Sequence, residues 1–252
     1  MKAKTVFVSD IHLGSRHAAV TDFLNFLSSL KEDPPEKLYI VGDFIDGWKL
    51  RRNWYWTNDN NLVLRRLLGL IKKGTQIYYI AGNHDEFVRD FIEDFALFDL
   101  GSIHIGNEFV HESVDGKKFL VLHGDCFDMV TKYAKWASYL GDIGYTLLLK
   151  LNKVVHSVRK FFGLKHWSLS KAIKKNVKKA VSFISEFEDS LVKYSRDKNC
   201  DGCVCGHIHT PELRFSSDGF MYANSGDWVE SCTAIYEDHE GKFHLYQHPI
   251  VR

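Results

Sequence analysis

The sequence predicts an α/β fold of two packed sheets flanked by helices, with a helical insertion in its second half. Three observations carry that expectation. Short β-rich apolar runs alternate with helical patterns through the first half of the chain. The end is a run of strands with turn signals such as Ser217-Asp218-Gly219 and Glu240-Gly241 between them. Residues 127–200 break the rhythm with a long apolar and basic tract.

Taken in order, the run VFVSDIH gives a strand near 4–9, followed by a helix near 18–30. LYIVGDFID gives a strand near 37–41 and precedes a helix near 60–73. IYYIAGNHD gives a strand near 75–80, with a helix near 86–95. FLVLHGD and CVCGHIH supply strands near 117–122 and 202–206, and further strands fall near 220–224, 232–236 and 242–247. Within the insertion, Ile173, Val177, Val181, Ile184, Phe187 and Leu191 recur at helical spacing and predict a long amphipathic helix from Ser170.

Each of the five named runs ends in side chains that ligate metals: Asp10 and His12, Asp43, Asn83, His123, and His207 with His209. A buried strand delivers such a group at its carboxyl end, where α/β sheets place their sites. Two divalent ions about 3.5–4 Å apart can together promote a phosphoryl displacement. Asp43, alone on its strand end, is the expected bridging carboxylate. Asp10, His12 and His209 would complete one ion's ligands, and Asn83, His123 and His207 the other's. Imidazole, carboxylate and amide oxygen without thiolate favour Mn, with Fe, Zn and Co as alternatives.

The ordered set D-x-H, G-D-x-x-D, G-N-H-D, H-G-D and G-H-x-H, spanning residues 5–228, resembles the calcineurin-like metallophosphoesterases. That resemblance implies a four-layer α-β-β-α sandwich with two mixed sheets. Among its branches, the chain looks most like the UDP-2,3-diacylglucosamine pyrophosphatases of lipid A synthesis. The likeness lies in the D-x-H to G-D spacing, the stretch Gly42 to Trp48, a helical insertion after H-G-D, and the segment Ser225 to Trp228, which implies Asp227 and Trp228 as substrate contacts. One departure stands out. That branch typically carries Arg after the motif Asn, whereas this chain has His84, the residue typical of general phosphoesterases.

A histidine near neutrality can donate a proton to a leaving oxygen, so His84 is the expected general acid. Asp85 beside it is expected to orient the ring, directly or through the backbone, the competing role being a cap on the helix that begins at Glu86. The group Trp48, Lys49, Arg51, Arg52, Trp54, Tyr55 and Trp56 follows Asp43. Arg51 and Arg52 suit bidentate phosphate contacts, and Trp48 suits stacking on a base or covering an acyl chain. Asp46 reads either as support for a ligand or as a turn residue.

At 252 residues with 45% hydrophobic content, the chain can bury a full core as one domain, 1–252, carrying the insertion 127–200. MKAKTVFVSD passes straight into strand residues without a signal-peptide pattern, and no apolar run approaches the roughly 18 residues of a membrane span. Five unevenly spaced cysteines do not suggest a disulfide framework. The expected location is the cytoplasm, with peripheral attachment to the cytoplasmic face of the membrane.

The net charge of +1 conceals a division. Of 33 basic and 32 acidic residues, twelve basic and one acidic, Asp142, lie between Thr131 and Ala180, which leaves 21 against 31 elsewhere. The same tract is rich in aromatic and aliphatic residues. A solvated basic face over a satellite core needs no ligand, and a nucleic-acid groove would call for aromatics alternating with Lys and Arg. A lid that accepts acyl chains and sets its lysines against anionic headgroups explains both features. The function expected from the sequence is therefore hydrolysis of a phosphodiester or pyrophosphate in a lipid-linked nucleotide. A phosphatase or phosphodiesterase of soluble substrates, and a metal-bound scaffold without turnover, are the alternatives.

Overall fold

A computed structural model of the chain describes residues 2–95, 98–99, 101–127 and 184–249. The chain divides into two compact units, one of residues 1–125 with 191–252 and one of residues 126–190. Residues 128–183, which would form the lid and the amphipathic helix as far as Val181, with Lys174, Lys175, Lys178 and Lys179 on other faces of that helix, fall outside the described residues.

The larger unit contains both sheets. In chain order its elements are β1 (Thr5–Val8), α1 (Val20–Ser29), β2 (Lys37–Val41), α2 (Gly47–Arg52), α3 (Asn58–Ile71), β3 (Gln76–Ile80), α4 (Phe87–Phe95), β4 (Phe98–Asp99), β5 (Ile103–Gly106), β6 (Glu108–Glu112), β7 (Lys118–Leu122), β8 (Gly202–Cys205), β9 (Glu212–Phe215), β10 (Met221–Asn224), β11 (Thr233–Glu237) and β12 (Phe243–Gln247). The first sheet has the order β12-β11-β1-β2-β3-β5-β4 and the second β6-β7-β8-β10-β9. β1, β2, β3 and β5 run parallel in one sheet, and β7, β8 and β10 run parallel in the other. Antiparallel strands complete both sheets.

Strand alternation builds the layers. In β1, Val6 and Val8 face one way and join Leu38 and Ile40 against Phe23, Phe26 and Leu27 of α1 and Val63, Leu67 and Leu70 of α3. Phe7 faces the other way, with Tyr39, Val41 and Ile80, and meets Phe119, Val121, Val204, Met221 and Ala223 of the second sheet. The second sheet carries its own helical cover from residues 191–197, where Leu191 and Ser195 are buried and Tyr194 Oη donates to Glu108 Oε2 over 3.0 Å. This is the α-β-β-α sandwich the sequence predicts.

All eight predicted strands and the three predicted helices of the first half are present. Helix α2 and strands β4, β5, β6 and β9 are additional. β6 and β9 are edge strands whose charged residues mask an apolar alternation. Helix α2 spans only six residues, too few for periodicity, and is marked instead by its cap, where Asp46 accepts from Lys49 N over 3.0 Å.

Candidate metal centre

The carboxyl ends of β1, β2 and β3 from one sheet and of β7 and β8 from the other deliver the sequence-predicted ligands, each within four residues of its strand. The backbone there is strained. Asp10, His12, Asp43, His207 and His209 all have positive φ, between 52° and 70°, in a region that non-glycine residues enter at a cost of about 1–3 kcal/mol each. Two other non-glycine residues share it among those described, Asn199 and Cys232. Sharp left-handed turns point successive side chains inward where a continuing strand would alternate them. Motif glycines make the room. A Cβ on Gly206 would lie 2.6 Å from Asp10 Oδ2, and one on Gly42, itself at φ +82°, would run into the His123 ring.

Among the described residues, three sets of potential ligand atoms form, each within 4.8 Å of one another: Asp10, His12 and His209; Asp10, Asp43 and His123; and His12, Asp46 and His84. Asp10 is common to the first two, and Asp43 reaches towards both with one oxygen. Its Oδ1 accepts from His84 N over 2.8 Å, while Oδ2 stands 3.8 Å from His12 Nε2 and 3.4 Å from His123 Nε2. The His123 Nδ1–H donates to Val41 O over 2.8 Å, a bond that turns Nε2 towards Asp43 as the atom available to a metal. The His207 ring packs 5.0 Å from that of His123, and its backbone N–H donates to Asp10 Oδ2.

Burial opposes charge throughout this cluster, and neighbouring histidines restore it. Asp10 is desolvated, yet His209 and His123 hold its pKa at about 2. Asp43, equally desolvated, is pushed further down by His123 and His12. His123 moves well upward because Asp43 outweighs its burial, and His209 rises to about 8 against its burial through Asp10. His12 is lowered, because burial prevails over Asp43 and Asp10. Carboxylates kept ionised beside imidazoles are the donors a divalent cation takes. Asp10 Oδ1, His12 Nδ1, Asn83 Oδ1 and His123 Nε2 are also buried with no well-formed hydrogen bond. Buried polar atoms are rarely left so, and a cation among these donors would satisfy them.

Around this cluster the structure corrects two expectations. Asp85 does not contact the His84 ring. Its Oδ2 accepts from Phe44 N over 2.8 Å and from Tyr79 Oη over 2.6 Å, and its Oδ1 accepts from Gly82 N over 2.6 Å. Asp85 instead ties the loop after β2 to the loop after β3, and both burial and Asp43 raise its pKa. The carboxylate at the His84 ring is Asp46, with Oδ1 3.0 Å from Nδ1, and Asp46 Oδ2 lies 3.7 Å from His12 Nδ1. G-D-x-x-D was the available signal, since its second Asp is Asp46.

Trp228, expected to touch substrate, is fully buried, its ring 4.9 Å from those of Phe23 and Phe26. It serves the core, and its backbone N–H donates to Asp10 O over 3.0 Å. Asp227 is buried as well. Its Oδ1 accepts from Val229 N and Glu230 N, which closes a turn, and its Oδ2 stands 3.9 Å from His209 Nδ1. Trp48 packs its ring 4.1 Å from His84, and Arg51 and Arg52 lie on α2 beside it.

The model of the calcineurin-like phosphoesterase family matches residues 3–211. Over 252 residues the chain is 25% identical to a UDP-2,3-diacylglucosamine hydrolase of Psychromonas ingrahamii, covering 98% of both chains. It is 28% identical over 216 residues to a protein of the same name from Blochmanniella pennsylvanica, covering 82% of this chain and 80% of that one. In structure it resembles a hypothetical protein of Pyrococcus horikoshii OT3, with a TM-score of 0.51 at 12% identity over 98% of this chain and 88% of the other, a likeness of fold. The strained loops at the strand ends thus belong to a recognised architecture, and this chain is a member of the calcineurin-like phosphoesterase family, a phosphoester hydrolase of the kind that works with divalent metal ions.

Proposed function

We propose that the chain hydrolyses the pyrophosphate bond of a nucleotide-linked, acylated sugar such as UDP-2,3-diacylglucosamine, with two divalent ions, manganese first among them. Asp10, His12 and His209 would hold one ion, Asn83, His123 and His207 the other, and Asp43 both. When bound, such ions supply a water nucleophile at neutral pH and offset charge on the phosphoryl oxygens. The observation that carries this reading is the placement of Asp43 Oδ2 between His12 and His123. With Nδ1 held by Asp46, His84 can present Nε2 as the donor that protonates the leaving oxygen when the P–O bond breaks.

The substrate class draws support from the near full-length match to relatives named for UDP-2,3-diacylglucosamine. An apolar groove of about 470 Å³ lined by Ile45, Leu50, Trp54, Trp56 and Phe87 beside the cluster adds to it, with Trp54 largely exposed. No helix among the described residues is long and apolar enough to cross a membrane, so contact with a lipid substrate would occur at a surface, where the lysines of 131–180 would meet anionic headgroups. His84 favours a second reading, a phosphodiesterase of soluble nucleotides.

The decisive experiment is hydrolysis with manganese of UDP-2,3-diacylglucosamine, of UDP-sugars lacking acyl chains, and of bis-p-nitrophenyl phosphate. Preference for the acylated substrate, rising with chain length as each buried methylene adds about 0.8 kcal/mol, is the expected result. Equal rates on acylated and unacylated UDP-sugars would establish the second reading.

A further inference from the structure

On the opposite side of α2 from the apolar groove lies a second, smaller cavity of about 240 Å³. Its wall is basic: Arg16 and His17 come from the loop after His12, and Lys49 and Arg52 come from α2. The mechanism outlined above uses none of these side chains, and the sequence marks only Arg52 among them for phosphate.

The cavity is built rather than incidental. Gly14 turns the first loop at φ +91°, where a Cβ would meet Leu50 at 2.7 Å, so loop and helix lie against each other. The Arg16 guanidinium lies 4.4 Å over the Tyr55 ring, an aromatic face that fixes its direction. Lys49 Nζ donates to Ser15 Oγ over 3.1 Å and stands 3.8 Å from Asp46 Oδ2, the carboxylate that also faces His12 and His84. A single residue thus separates this basic wall from the metal cluster. Its volume is below the roughly 300–1,000 Å³ of sites for drug-sized ligands, and suits a phosphoryl group better than a whole nucleotide. The Tyr55 face, occupied by Arg16, is not open to a base.

We propose that this pocket receives the second phosphoryl group of the substrate, the one that is not attacked, so that the enzyme selects pyrophosphate diesters over isolated phosphodiesters. The inference rests on the proposed function and specifies what distinguishes its substrate at this site. Neighbouring phosphoryl groups of a pyrophosphate share one bridging oxygen. When one sits at the metal cluster, the other must lie within a few ångströms of it, and Lys49 brings the wall to that vicinity, its Nζ 3.8 Å from the Asp46 oxygen that itself stands 3.7 Å from His12 Nδ1. Arg16 supplies a planar fork suited to two phosphate oxygens, and Lys49 adds a point charge.

Arg16 is exposed and its side chain supports no core contact, so Arg16→Gln should fold normally. Steady-state kinetics of the manganese-loaded full chain would be compared on UDP-2,3-diacylglucosamine and on bis-p-nitrophenyl phosphate, which has no second phosphoryl group. The expected result is a KM for the pyrophosphate raised about tenfold or more, the loss of one charge-assisted contact, with bis-p-nitrophenyl phosphate hydrolysis unchanged. An unchanged KM for the pyrophosphate, or an equal loss on both substrates, overturns the assignment while leaving the proposed function intact. Wild-type protein that cleaves the diester and no pyrophosphate overturns both.

Discussion

Asp46 and His84 are 38 residues apart in sequence and meet at 3.0 Å, oxygen to ring nitrogen, beside the metal cluster. The same Asp46 carboxylate caps α2, so one side chain fixes both the imidazole and the helix that separates the apolar groove from the basic pocket. Desolvation opposes its charge, but His84 and the Lys49 N–H lower its pKa, so it remains an anion able to accept the His84 proton at Nδ1.

Asp46→Asn keeps an acceptor for the helix cap and removes the anion from the ring. Turnover of substrates with a poor leaving group should fall by about 10²-fold, within the contribution typical of general acid–base catalysis, and p-nitrophenyl esters should be hydrolysed nearly as fast as by wild type. His84→Gln should give the same pattern with metal content retained. Equal losses on both substrates for either variant would assign these residues to phosphate binding or loop order.

Asp43→Ala should lose both ions and nearly all activity, whereas Asn83→Ala should keep one site partly filled. Elemental analysis of the purified variants decides this, and full metal content in the Asp43 variant would rule out a shared carboxylate.

Removing Asp85 should act on stability before chemistry. Asp85→Ala strands the buried N–H groups of Phe44 and Gly82, at about 1–3 kcal/mol for each donor left unpaired. Urea unfolding should show that loss. A normal midpoint with abolished turnover would return Asp85 to the catalytic machinery.

Trp228→Ala should cost about 3–5 kcal/mol by emptying the space against Phe23 and Phe26. Under conditions where the variant is folded, its KM should be close to that of wild type. A raised KM with unchanged stability would support the sequence-based reading.

Away from the site, Glu237 sets a pH dependence. Burial opposes its ionisation, but His111, with Nε2 2.8 Å from Glu237 Oε2, and the Val114 N–H lower its pKa below the ordinary 4.5. A depressed folded-state pKa contributes stability that is fully present above 4.5 and is lost as pH falls through the folded value. Glu237→Gln should therefore destabilise the protein at pH 6 and matter progressively less in acid, as thermal melts across that range would show.

The five motifs were legible in the sequence because each needs only local chemistry: a short apolar run fixes a buried strand, and the polar residues after it have nowhere to go but the strand's carboxyl end. Asp10, Asp43, His123 and His209 could be named on that ground alone. The chain order of strands and helices followed from the same alternation, except for the short elements α2, β4 and β5 and the edge strands β6 and β9, where charged residues replace the apolar pattern. Partnership was not legible. Asp85 is next to His84 in sequence and faces away from its ring, because the turn after β3 directs the carboxylate to Phe44 and Gly82, whereas Asp46 arrives from the loop after β2. Trp228 follows a motif segment and yet fills the core under α1, since burying so large a ring outweighs exposing it to a ligand. Sequence determines which groups reach the strand ends. Only the packing of two sheets and the turns beyond them decides which carboxylate faces which imidazole, because that depends on backbone direction at residues with positive φ, set by contacts between segments distant in the chain.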